Sequence, residues 1–190
     1  TFKIKYIDSI KSWSAPFVMS IANTRVVRRS VELHELNQSG YGSDFTYKEF
    51  MNVKKYSSAL MVSIGLAILG LMIVSPISSL FRKLFTKPGN GPDKKTRDNG
   101  WFESIFIGKN TNNEFYKLRI YGDGDPGYKT TAKFICESAL CLVKSDGYLE
   151  NTNKGGVLTT ATGLGDHLIK RLKNADILFE GPEKIAKTIT

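Results

Sequence analysis

Residues 57–81 constrain this chain more than any other stretch, because none of them carries a charge. A run of this length exceeds the about 20 residues that a helix needs to cross the hydrocarbon of a bilayer. Positions 59–74 are apolar on every side of a helix, which excludes an amphipathic surface helix and a half-buried strand. The segment must therefore be surrounded by lipid or by protein.

Three placements of this segment are compatible with the sequence. Pro76 lacks an N–H and disfavours helical geometry at Ser75, so a kink or break is expected there. We favour a monotopic arrangement, in which the helix dips into one leaflet and returns near Pro76. A single span would place the strands before and after it on opposite sides of the bilayer and leave sheet edges unpaired. A helix buried within the protein and a single span are the alternatives.

The sequence also predicts which side chains meet the membrane. Beyond Pro76, apolar residues at positions 80, 81, 84 and 85 share one helical face, as in a helix that lies in a membrane interface. The predicted headgroup contacts are Arg82, Lys83 and Lys87. The predicted lipid contacts are Leu60, Ile64, Leu66, Ile68, Leu69, Leu71, Ile73, Val74, Leu80, Phe81, Leu84 and Phe85.

The formal net charge is +9, and more than half of the excess lies between residues 82 and 97, beside the apolar run. Basic residues in this position are attracted to anionic headgroups by about 1 kcal/mol each. Phe85 is the one aromatic residue of that basic stretch, and no nucleic-acid-binding motif is recognisable. The charge therefore favours a membrane as the partner, and no nucleic acid is expected.

The residues that most often carry chemistry form no constellation in this sequence. Cys136 and Cys141 point in different directions on a helix, and His34 and His167 lie far apart, so no disulfide or metal site is expected. The serines lack the G-x-S-x-G surroundings of a nucleophile, and neither cysteine has a nearby base. No catalytic residue can be assigned from spacing alone.

Residues 122–127 match the dinucleotide fingerprint G-x-G-x-x-G between a predicted strand and a predicted helix. Pro126 removes an N–H donor, and Asp123 and Asp125 place two negative charges where a pyrophosphate would bind. We therefore predict a glycine-rich turn and a helix start here, with no cofactor bound by this chain. The glycine pair of residues 163–165 is similarly interpreted as the entry to a helix.

The remaining pattern predicts an α+β fold, a largely antiparallel open sheet with flanking helices and one inserted long hydrophobic helix. The expected domains are residues 1–56 and 101–190 as two parts of one α+β domain, the hydrophobic segment 57–86 and a basic loop 87–100. Strands are predicted over residues 2–7, 45–53, 102–107, 114–121, 157–160 and 177–179. A helix capped by Asn23 is predicted over residues 25–33 and another over 166–174, with Leu168, Ile169 and Leu172 inward. A third helix carries a predicted buried stripe formed by Ala132, Ile135, Cys136, Ala139, Leu140 and Val143.

Several blocks of residues together resemble a known family. They are Trp13–Met19, Thr24–Ser30, Gly127–Tyr128, Gly155–Val157 and the helix Gly165–Leu172. In this order, with the apolar segment between the first blocks and the paired strands, they resemble the C-terminal portion of saccharopine dehydrogenase-like oxidoreductases. The chain also begins at Thr1 within a strand-like pattern, so we expect a fragment of a longer protein.

The resemblance implies an N-terminal Rossmann domain, missing from this chain, that binds NAD or NADP. It implies association with a membrane or a lipid droplet, facing the cytosol, and for some relatives enoyl reduction in lipid or glycolipid metabolism. The leading hypothesis is therefore the C-terminal portion of an NAD(P)-linked oxidoreductase held at a lipid surface, with a homodimer as a further partner to test. The alternative is a non-catalytic interaction protein at a lipid surface that keeps the oxidoreductase framework.

Overall fold

A computed structural model describes residues 4–37, 40–75, 89, 91–144 and 156–186. They confirm the predicted α+β class, with two three-stranded antiparallel open sheets and flanking helices. The described residues form two compact units. The first holds those up to Thr24, those of Tyr47–Gly91 and Ala186, and the second those of Arg25–Thr46 and Pro92–Ile185.

The sheet of the first unit is small. Strands β1 (Tyr6–Ile7), β2 (Ser12–Ala15) and β3 (Met51–Val53) pair in that order, and Trp13 lies opposite both Tyr6 and Val53. A single 3₁₀ turn, Asp8–Ile10, joins the first two strands. The predicted strand over residues 45–53 is wrong before Met51, because within the described residues its last three residues alone have a pairing partner.

Helix α1, Ser20–Leu36, starts before the predicted boundary. The prediction that Asn23 caps this helix is wrong, since Asn23 lies within the first turn and its Nδ2 donates to Glu49 Oε1 at 2.9 Å. The helix begins in the first unit and continues into the second, where Ser30 and Leu33 are buried.

The apolar segment folds as helix α2, Tyr56–Val74. Ser75 is extended, with ψ 144°, as expected for a residue that precedes proline. Residues 76–88 lie outside the described part of the chain, and with them the predicted interfacial helix. The prediction of a loop over residues 87–100 is wrong in part, because Lys94–Asn99 form helix α3, whose N-cap Asp93 accepts from the Thr96 N–H at 2.8 Å.

The second unit is built on strands β4 (Trp101–Lys109), β5 (Phe115–Asp123) and β6 (Leu178–Ile185). The predicted antiparallel hairpin of β4 and β5 is confirmed, and both strands are longer than predicted. Phe102 lies opposite Gly122, and Ile120 lies opposite Phe179 on the neighbouring strand. The sheet face that carries Phe102 packs on a helix, because the Phe102 ring makes an edge contact with the Phe134 ring, with 5.8 Å between the ring centres.

Helices α4 (Lys129–Lys144) and α5 (Thr160–Asn174) pack on each other. Their contact buries Cys141 and Leu164, with Leu168 against them, so Leu168 and the buried Leu172 point inward as predicted. The predicted strand over residues 157–160 is wrong, because Thr159 and Thr162 form a capping box that starts α5 there. Ile169 was predicted to point inward and is 39% exposed.

The predicted buried stripe of α4 is also wrong. All six of its residues are exposed: Ala132, Ile135, Cys136, Ala139, Leu140 and Val143. The helix instead turns inward the residues Thr130, Lys133, Phe134, Glu137, Ser138 and Cys141, which have the same spacing. The inward face is the one that meets α5 and the sheet, through Glu137, Cys141 and Phe134.

Candidate functional site

Helix α2 exposes most of its apolar surface in the described part of the chain. The helix has 19 residues, which corresponds to a length of about 28 Å. Of an 18-residue window with mean hydropathy 2.3, only 6% is buried, and this is the one helix of the described residues with the length and composition to cross a membrane. Those residues therefore do not supply the protein surroundings that a buried helix needs.

The start of α2 is attached to the first sheet. Ala59 is fully buried there. The Trp13 ring makes edge contacts with the rings of Tyr56 and Tyr6, whose centres lie 5.1 Å and 5.2 Å from the centre of the Trp13 ring. Lys54 and Lys55 precede the helix and are exposed. Aromatic and basic side chains at one end of an apolar helix are typical of the level at which a membrane meets water.

The hydroxyl of Ser63, in the interior of α2, has a hydrogen-bond acceptor within the helix and is therefore compatible with apolar surroundings. Ser63 Oγ donates to the Ala59 carbonyl oxygen at 2.8 Å, within the helix itself. Of the predicted lipid contacts on α2, Leu60, Ile64, Ile68, Leu71, Ile73 and Val74 are exposed, and Leu66 and Leu69 are half-buried. The predicted contacts Leu80, Phe81, Leu84 and Phe85, with Arg82, Lys83 and Lys87, lie outside the described residues.

A buried hydroxyl cluster in the second unit joins the two parts of the chain that flank α2. Ser30 Oγ lies 2.8 Å from Thr159 Oγ1, which also lies 3.0 Å from Thr162 Oγ1. Ser30 and Thr162 are buried. Ser30 has no nucleophile motif around it in the sequence, whereas the spacing of Thr159 and Thr162 is that of a capping box.

The glycine-rich segment between β5 and α4 forms a turn and a helix start. The Tyr128 N–H donates to Asp125 Oδ2 at 2.8 Å, and Thr130 Oγ1 donates to the Gly124 carbonyl oxygen at 3.0 Å. The position where a pyrophosphate would accept hydrogen bonds is therefore taken by the protein's own carboxylate. These residues do not fit a dinucleotide.

The other ionisable groups of the described residues form no assembled catalytic centre. Glu49 is paired with Asn23, and burial together with the nearby Glu49 charge raises the pKa of Tyr47 above its usual range. Cys136 is exposed and Cys141 is buried. Among residues 4–37, 40–75, 89, 91–144 and 156–186, no group of three or more His, Cys, Asp or Glu side chains could hold a metal ion.

Comparison with curated proteins links the chain to enoyl reductases. A Mycobacterium tuberculosis protein provisionally named a trans-acting enoyl reductase is 35% identical over 176 residues, 88% of this chain and 41% of its own length. A trans-acting enoyl reductase of Mycobacterium bovis is 31% identical over 175 residues, 88% of this chain and 40% of its own length. The trans-acting enoyl reductase of Mycobacterium ulcerans is 30% identical over 174 residues, which are 87% of this chain and 40% of that protein.

The other comparisons gave no match: no family model matches the chain, and no solved structure matches it at a significant level. The resemblance to saccharopine dehydrogenase-like proteins therefore stays a prediction. The matched region spans less than half the length of the enoyl reductases that the chain resembles.

Proposed function

We propose that this chain is part of an NAD(P)-linked enoyl reductase that α2 holds at a membrane surface. The observation that carries the enzymatic part is the 31–35% identity to proteins named trans-acting enoyl reductases over 88% of the chain. An enoyl reductase transfers a hydride to a carbon–carbon double bond, and a nicotinamide cofactor supplies that hydride. Because the glycine turn does not fit a dinucleotide, the cofactor would bind to a part of the enzyme beyond this region.

The membrane part rests on the apolar surface of α2. A helix that is apolar on every side and uncovered by the described residues gains free energy by leaving water, at about 25 cal/mol per Å² of apolar surface. The aromatic contacts of Trp13 and the exposed Lys54 and Lys55 mark the end that faces the headgroups. On this proposal the protein faces the cytosol on an endomembrane or a lipid droplet.

The hydroxyl pair of Ser30 and Thr159 favours the monotopic arrangement. These residues lie before and after α2 in the sequence and are 2.8 Å apart within one unit, whereas the hydrocarbon layer is about 30 Å thick. On this proposal both flanks of α2 lie in one compartment, which a single span would not allow. The sheet argument for this arrangement was wrong, because each sheet lies entirely on one side of α2 in the sequence.

The monotopic arrangement also limits the tilt of the helix. The return segment carries Arg82, Lys83 and Lys87 and is unsuited to a second apolar span. A helix about 28 Å long stays within one leaflet, about 15 Å deep, only if it lies closer to the membrane plane than to the membrane normal. The basic residues on both sides of the helix then meet the headgroups of the same leaflet.

Flotation with liposomes of phosphatidylcholine and phosphatidylserine tests the membrane contact. The double substitution Ile64→Lys and Leu71→Lys changes two exposed positions of α2. The membrane-bound fraction should fall by about tenfold or more, since a lysine costs up to about 3 kcal/mol at the hydrocarbon centre and a total loss of about 1.4 kcal/mol is enough for this change. The matched control, Ile135→Lys with Val143→Lys on the exposed face of α4, should keep its binding. Equal binding by both variants would refute the membrane contact.

A chimera tests the catalytic part against the alternative of a non-catalytic protein at a lipid surface. The region of the Mycobacterium tuberculosis relative that matches this chain would be replaced by the chain, and oxidation of the reduced nicotinamide cofactor by an enoyl substrate would be followed. We expect the chimera to reduce the substrate. A folded chimera that binds the cofactor and shows no reduction would favour the non-catalytic alternative.

A further inference from the structure

An open cavity of about 240 Å³ in the second unit is lined by Lys144, His167, Lys170, Arg171 and Asn174. Four of these residues follow each other at positions i, i+3, i+4 and i+7 along one face of α5, and Lys144 comes from the last turn of α4. The two helices pack on each other, and this contact brings the basic side chains of both to the same concave surface. We refer to this surface as the basic groove.

The groove has positive charge that the described residues do not neutralise. Arg171 Nη2 pairs with Glu137 Oε2 at 2.8 Å, which fixes the guanidinium in place. Its Nε–H is buried and has no acceptor in the described part of the chain. Within the same part of the chain, Lys144 and Lys170 form no ion pair.

The ends of helices attract basic residues for structural reasons, so this explanation must be compared with ligand binding. Near the end of α5, two lysines outside the groove have described partners. Lys133 Nζ donates to the Ala175 carbonyl oxygen at 2.5 Å, and Lys173 Nζ lies 5.8 Å from the centre of the Phe179 ring. Within the described residues, the ammonium groups of Lys144 and Lys170 have no carboxylate partner.

We propose that the basic groove binds a phosphate group, either of a soluble phosphorylated molecule or of an anionic lipid headgroup. Two lysine ammonium groups beside a fixed guanidinium match an oxyanion that carries more than one negative charge. The cavity volume also leaves room for part of the molecule that carries the phosphate. This inference goes beyond the proposed function and does not depend on it.

Titration of the chain with inorganic phosphate in lipid-free solution, followed by amide chemical shifts, tests the groove. The variant carries Lys144→Ala and Lys170→Ala, and the control carries Lys95→Ala and Lys109→Ala, two exposed lysines with the same total charge. We expect shifts at the groove in the unmodified chain. The affinity should fall by about tenfold or more in the variant, as for the loss of one charge-assisted hydrogen bond, and by less than about twofold in the control.

Competition with phosphatidic acid vesicles and with glycerol phosphate then distinguishes a lipid headgroup from a soluble ligand, and either result supports the groove. No phosphate binding, or equal loss of affinity in the variant and the control, would overturn the proposal. The titration uses no lipid, and the variant leaves α2 unchanged. Failure here is therefore distinguishable from failure of the membrane flotation experiment.

Discussion

At the scale of single residues, Gly122 shows how closely the second sheet packs on its neighbours. A Cβ at this position would lie 2.5 Å from Phe102 Cε1 and 2.9 Å from Ile177 Cδ1, and Ile177 is 2% exposed. The Gly122→Ala substitution should therefore lower the free energy of unfolding by about 1 to 3 kcal/mol through overpacking. Urea denaturation measures this loss.

Gly108 is the matched control for that measurement. It lies in the neighbouring strand β4, and a Cβ there would meet nothing within 4 Å. Gly108→Ala should leave the free energy of unfolding unchanged or raise it slightly, because alanine loses less backbone entropy on folding. Equal losses in both variants would contradict the packing argument.

Asp98 gives a prediction about pH at the same scale. Hydrogen bonds from Lys94 and then from Lys129 lower the pKa of this carboxyl from 3.8 to about 2. Because the folded pKa is lowered, the stabilisation is present above the ordinary pKa and is lost as the pH falls through about 2. A carboxyl titration by NMR should show this low pKa, and Lys129→Ala should raise it. Lys95→Ala, on the same helix α3, should leave it unchanged.

At the scale of elements, helix α4 shows what the sequence could not reveal. Apolar spacing predicted a helix and its period here, but residues at the same spacing lie on both of its faces. The inward side was decided by Phe134 against Phe102 and by Glu137 against Arg171, both of which are long-range contacts. The hairpin of β4 and β5 was predictable because its strands are close in sequence, whereas β3 depends on a partner far from it in the chain.

The exposed apolar face of α4 should promote self-association of the isolated chain. Ile135 is 68% exposed and Val143 is 80% exposed on that face. In the background Ile64→Lys and Leu71→Lys, which removes association through α2, the substitutions Ile135→Lys and Val143→Lys should lower the average mass measured by light scattering. The control places the same charge in the β4–β5 turn, as Thr111→Lys and Asn112→Lys, and should not lower it. If the average mass of the Ile64→Lys and Leu71→Lys background alone stays constant over a wide concentration range, self-association through α4 is contradicted.

The candidate membrane site was partly predictable at this scale. The absence of charge over residues 57–81 was enough to place α2, and six of the eight side chains predicted to meet lipid on it are exposed. The aromatic contacts of Trp13 could not be predicted, because they require that β2 pairs with β1 and lies beside the start of α2. The basic groove was missed for a similar reason, since Lys144 and Lys170 meet only after two helices pack.

At the scale of the whole molecule, the proposed monotopic arrangement predicts that both flanks of α2 react on the same side of a vesicle. Cys136 is an exposed thiol after α2, and Arg28→Cys in a Cys136→Ser background places one before it. With protein bound to the outside of sealed vesicles, a membrane-impermeant maleimide should label both thiols to the same extent. Protection of one thiol that disappears when the vesicles are opened by detergent would indicate a single span.

The hydroxyl pair of Ser30 and Thr159 also has a consequence for synthesis on the ribosome. The second unit cannot form the contact of Ser30 with Thr159 until Thr159 has left the ribosomal exit tunnel. By then the whole of α2 has already emerged. The apolar helix is therefore synthesised before the second unit has formed. If α2 binds a membrane as proposed, its contact with lipid can begin while translation is still under way.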